Sequence, residues 1–189
     1  MERSALYRRA LAPLMIAAGV VGIGAATLTC FVKIEGLRSF AMFWLAVAAM
    51  AQGVCLLLVR RQALKSEEAF WSAPMRRVAH AALPGFFVGA AGAVVAARSE
   101  LQEVWMLPLI WGAVYGCGIH AAGFFMPRGM KLFGWLMVLV SLALFPAVGS
   151  FVENPSTETA HYLMGGLFGV LHLVYGVYLR FTETGNQTA

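Results

Sequence analysis

The sequence reads as an all-α membrane protein, an integral bundle of six transmembrane helices with both termini in the cytoplasm. Three observations carry that reading. Of 189 residues, 60% are hydrophobic and only 12% charged, whereas a soluble domain keeps about a quarter of its residues charged. Apolar runs recur along the chain, and runs of about 18 residues or more suffice to cross a hydrocarbon core of roughly 30 Å. The fourteen Lys and Arg residues are split unevenly between alternate loops. Backbone groups in hydrocarbon find no water, so each run pairs its own N–H and C=O groups as a helix. The chain length suits one bundle, a single transmembrane domain over 1–189.

The spans are placed at about 11–32, 39–59, 78–97, 104–126, 132–151 and 160–179. The first follows Arg8 and Arg9. It is too long for the apolar part of a signal peptide, and no small-x-small cleavage site closes it. The loop after the second span runs from Arg60 to Arg77. Ser66, Glu67, Glu68, Phe70 and Trp71 predict a short helix lying in the interface, capped by Ser66 and ended by Pro74. Pro84 falls inside the third span and predicts a kink. Ser99 with Gln102 reads as a capping box opening the fourth span. Pro127 and Gly129 break the chain before the fifth, and Asn154, Pro155, Ser156 and Thr157 form the turn before the sixth. Loops this short predict antiparallel neighbours.

Orientation follows from the basic residues. Arg3, Arg8, Arg9, Arg60, Arg61, Lys65, Arg76, Arg77, Arg128, Lys131 and Arg180 lie on one side, against Lys33, Arg38 and Arg98 on the other. The richer side faces the cytoplasm. Trp44 and Trp105 near outer ends, and Trp71 and Trp135 near inner ends, fit an aromatic belt, whereas Trp111 lies deeper and packs inside. The net charge of +5 sits in these flanks, which argues against nucleic acid and for the lipid bilayer as partner.

Leucine gains little by leaving lipid for a helix neighbour, so small residues must bring helices together. Gly85 and Gly89, Gly112 and Gly116, and Gly165 and Gly169 are each four apart, on one helix face per pair. They are the expected packing positions. Cys30, Cys55 and Cys117 fall in apolar runs, an odd count that does not suggest a disulfide framework. The ten methionines are scattered as packing residues.

No Asp, Glu, Lys or Arg lies within a span core, which disfavours a proton-driven antiporter. The intramembrane titratable groups are histidines. His120 and His172 each lie eight residues from a flanking arginine, about 12 Å inside the boundary at 1.5 Å per residue. Both align with glycines of their helices. A histidine pair at equal depth suits haem b ligation from two sides, or a metal ion held with Cys117. The alternative is a neutral histidine that hydrogen-bonds Tyr115, Tyr175, Gln52 or a carbonyl. His80 sits one turn inside the boundary, and His161 lies at the opposite surface. No phosphate loop, HExxH, paired carboxylates or activated Ser141 is evident, so no catalytic residue is assigned.

Trp111, Tyr115, Gly116 and the run Ala122, Gly123, Phe124, Phe125, Met126, Pro127, Arg128, Gly129, with Gly165, Gly166, Gly169, His172, Tyr175 and Gly176, resemble a family of small uncharacterised bacterial six-helix inner-membrane proteins. The resemblance covers roughly the second half of the chain. It implies a bacterial inner-membrane location and no particular activity. Two functional classes follow. One is a non-enzymatic partner or signalling subunit, or a small-solute facilitator with a cavity lined by Tyr115, Gln52 and the two histidines. The other is a redox protein binding haem b or a metal between His120 and His172. Partners would be a membrane protein or a second copy.

Overall fold

The computed structural model describes residues 3–65, 67, 69–98, 103–126 and 128–185. Among them the regular elements are all helical: α1 Arg3–Thr29, α2 Leu37–Lys65, α3 Ala73–Ala96, α4 Met106–Ala122, α5 Arg128–Phe151, α6 Thr157–Met164 and α7 Leu171–Gly185. A 3₁₀ turn over Gly123–Phe125 ends α4, and a π-helical segment over Gly165–Val170 joins α6 to α7. Six helices are long and apolar enough to cross a membrane, the sixth being the continuous α6–π–α7 rod over Thr157–Thr182.

Helix ends follow local chemistry. Gly36, at φ 78°, makes the turn into α2 that a side chain would resist. Ser156 caps α6 by accepting from Thr159 N–H, while Thr159 Oγ1 accepts from Ser156 N–H. Among the described residues, no interfacial helix is seen between the second and third spans. α2 instead continues to Lys65, Glu67 and Phe70–Trp71 are in turns, and Pro74 lies in the first turn of α3. Proline at a helix start loses no hydrogen bond, because that N–H has no intrahelical partner anyway. Ser66, Glu68 and the Ser99–Gln102 box lie outside the described residues.

The bundle closes on α4, half of whose apolar window is buried, against 6% for α2 and 11% for α3. α4 packs on α3 and α5, while α1 packs on α2 and on the π segment and α7. Approach is closest at glycines. A Cβ on Gly116 would fall 2.7 Å from Gly134 O, and one on Gly85 3.0 Å from Gly118 Cα. Along α1 the partners run in reverse order: Gly19 meets Leu173, Gly22 meets Gly169, and Gly165 meets Ala26, the signature of an antiparallel pair.

Two tryptophans depart from the belt arrangement. Trp71 and Trp135 are exposed, but Trp44 and Trp105 are buried. Their indole N–H groups are satisfied within the protein, by His161 Nδ1 and a Glu103 carboxylate oxygen, rather than by interfacial water. Trp111 is interior and donates to Gly89 O at 3.0 Å.

Candidate functional site

Two buried histidines organise the polar interior. His172 follows the π segment, where Leu171 N–H reaches back to Gly166 O. Its Nδ1 lies 3.2 Å from Leu167 O, and its Nε2 lies 2.8 Å from Tyr115 Oη on α4. A carbonyl only accepts, so Nδ1 carries the proton and donates. Nε2 then accepts from the Tyr115 hydroxyl. Phe133 meets the imidazole edge-on at 5.0 Å and Phe168 stacks at 6.0 Å. Tyr115 in turn touches Phe86 and Phe168. The hydrogen-bonding alternative considered for His172 is thus realised, through one of the tyrosines named for it.

His161 has the opposite tautomer. Trp44 Nε1–H donates to its Nδ1 at 3.0 Å, so Nε2 carries the proton and donates to Ile34 O at 3.2 Å. Phe40 and Phe43 flank the ring at 5.0 and 6.1 Å. One side chain therefore ties α6 to α2 and to the α1–α2 turn. Sequence reasoning set His161 aside as a surface residue. The available signal was Trp44, placed at the same outer level and needing an acceptor.

His120 does not join His172. It is half-buried at the α4–α5 contact, where its Nδ1 donates to Lys131 O at 3.3 Å and its ring meets Phe124 and Trp135 edge-on. No residue in these contacts also touches His172 in the contacts above. Cys117 is exposed on the outer side of α4. Among the described residues, no three His, Cys, Asp or Glu side chains are grouped to hold a metal ion, so Cys117, His120 and His172 do not form the expected metal site. The haem arrangement fits no better. The Nε2 lone pair of His172 is taken by Tyr115, and the glycine faces meant to admit a porphyrin are filled. Gly112 faces Ser141 and Leu167, Gly116 faces Gly134 and Val138, Gly165 faces Ala26, and Gly169 faces Ile23. Gly89 has more room, with Trp111 at 3.9 Å from a built Cβ.

The cavity expected around Tyr115, Gln52, His120 and His172 does not assemble either, because Gln52 is exposed on α2. Two buried oxygens, Ser141 Oγ and Tyr175 Oη, have no hydrogen-bond partner among the described residues. Among the described residues, no base hydrogen-bonds Ser141 Oγ. Compared with protein-family models, curated proteins and solved structures, the chain matches none.

The remaining chemistry lies on outer surfaces. On α2, Met42, Ala46, Ala49, Gln52 and Gly53 are exposed, and a Cβ on Gly53 would meet nothing within 4 Å. Ala49 and Gly53, four apart, form an unoccupied small-residue step beside a mid-helix amide. Among the described residues Gln52 makes no hydrogen bond.

Proposed function

We propose that this chain is a non-enzymatic subunit of a bacterial inner-membrane assembly, with both termini cytoplasmic, which binds a transmembrane helix of a partner protein on the exposed face of α2. Gln52 is the observation that carries this reading. It stands near the middle of a 29-residue helix, where an amide in hydrocarbon without a partner costs about 2 kcal/mol or more. A partner helix with a polar side chain satisfies that amide, and the Ala49–Gly53 step lets the two backbones approach closely. The small buried share of α2 supports the same face. The inner-membrane location is supported by the resemblance of the second half, and the orientation by the basic-residue asymmetry.

The test is photocrosslinking in native membranes. Met42→Cys, exposed on the Ala49–Gly53 face and leaving the Gln52 amide intact, carries a thiol-linked benzophenone in a chain whose Cys30, Cys55 and Cys117 are replaced by Ala. One defined larger product containing a second protein is expected, lost when Gly53→Leu is added. Recovery of monomer or of a two-copy product alone would overturn the partner-subunit reading.

A further inference from the structure

At the basic end of α3, a groove of about 560 Å³ opens between the first two turns of that helix and the 3₁₀ turn after α4, lined by Ala73, Arg76, Arg77, His80, Ala81 and Phe125. We propose that this groove is a binding site for the phosphate headgroup of an anionic phospholipid.

Three features point to that ligand. Arg76 and Arg77 are exposed and adjacent, and among the described residues neither is engaged by an acidic side chain. Two uncompensated guanidinium groups on one wall hold a strongly positive local potential, which a phosphodiester with several acceptor oxygens neutralises. The groove also lies at the start of α3, where Ser72 supplies no side-chain cap. The first N–H groups of the helix and the positive end of its dipole therefore face the same region.

The third feature separates a lipid from a free anion. Beyond His80 the same side of α3 continues into Leu83, Pro84 and Phe87, all exposed, with Phe87 at 74%. Residues three and four apart share a helix face. The headgroup site thus runs directly into an apolar lane along which an acyl chain lies. Phe125, half exposed, forms the opposite wall. Basic grooves between spans at membrane depth suit such headgroups, with each surface cation contributing about fivefold in affinity. The inference is independent of the partner-helix reading, because α2 takes no part in the groove.

The test uses the full chain, delipidated in mild detergent and titrated with dioleoyl-phosphatidylglycerol or dioleoyl-phosphatidylcholine, with bound lipid counted by native mass spectrometry. The anionic lipid is expected to bind at least about tenfold more tightly than the zwitterionic one. Arg76→Gln with Arg77→Gln weakens the anionic lipid about 25-fold, at fivefold per charge, and leaves the zwitterionic one unchanged. Arg60→Gln with Arg61→Gln removes the same charge from the end of α2 and leaves both unchanged. Ala81→Phe fills the groove without altering charge and weakens the anionic lipid as well. Equal binding of the two lipids would overturn the site. So would an equal loss in the Arg60/Arg61 variant, which signifies a diffuse basic belt, or full binding by Ala81→Phe. Displacement of phosphatidylglycerol by equimolar inorganic phosphate would assign the groove to a free anion instead.

Discussion

Replacing His161 with Leu tests the polar tie between α2 and α6. The substitution roughly keeps the side-chain volume but removes two hydrogen bonds, leaving the Trp44 indole N–H and the Ile34 carbonyl without partners. Trp44 is 2% exposed and His161 4%, so water does not replace the lost acceptor. At about 1 kcal/mol for each orphaned group, His161→Leu destabilises by about 2 kcal/mol. Trp44→Phe removes the donor instead and costs about 1 to 2 kcal/mol, including the volume lost from the cluster with Phe40 and Phe43. In the double variant no indole N–H remains to be orphaned. Its loss is therefore smaller than the sum of the single losses by about 1 kcal/mol, within the range of side-chain hydrogen bonds measured between membrane helices. Reversible unfolding in mixed dodecylmaltoside and dodecylsulfate micelles, followed by helix circular dichroism, measures all four proteins without relying on tryptophan emission. A coupling below about 0.3 kcal/mol, the scatter expected for independent sites, would refute the hydrogen bond as the link between α2 and α6.

The same unfolding assay checks four further expectations. Gly116→Ala sets a Cβ against Gly134 O and Val138 N, backbone atoms that cannot step aside, and destabilises by about 1 to 3 kcal/mol. Gly24→Ala and Gly92→Ala, where a Cβ meets nothing within 4 Å, raise stability by up to about 1 kcal/mol through helix propensity. Equal effects at the three positions would contradict the packing described. Ser141→Ala removes a buried hydroxyl without a partner and stabilises by about 1 kcal/mol, seen as a higher midpoint; a clear loss would reveal a partner for that oxygen. Tyr115→Phe leaves His172 Nε2 without its donor and destabilises by about 1 kcal/mol, whereas Tyr178→Phe, on an exposed side chain, is neutral.

Much of the helical architecture was legible in advance, and much of the site was not. The long uncharged runs announced six apolar helices because hydrocarbon leaves a backbone no other way to satisfy itself. Pro74 and the Phe70–Trp71 pair were misleading for the same local reason: a proline that can end a short helix can equally begin the next, and the run from Arg60 to Lys65 was polar enough to pass for loop while continuing α2 beyond the apolar run. Trp44 and Trp105 suited a belt by position, yet each turned inward because an acceptor was waiting there.

Composition and spacing by themselves determined an all-helical chain with six helices long and apolar enough to cross a membrane, and they assigned His120 and His172 similar depths on separate helices. Depth is a one-dimensional quantity, counted in residues from a charged boundary. Whether two side chains at one depth meet depends on helix order and rotation about each axis, and apolar faces that lipid accepts as readily as another helix leave little trace of either in the sequence. Only the tertiary structure decided that His172 turns to Tyr115, His120 to Lys131 and Trp135, and His161 to Trp44. Tertiary packing likewise left Gln52 outside the bundle, while close contacts form at Gly22, Gly85, Gly116 and Gly169 on the other helices.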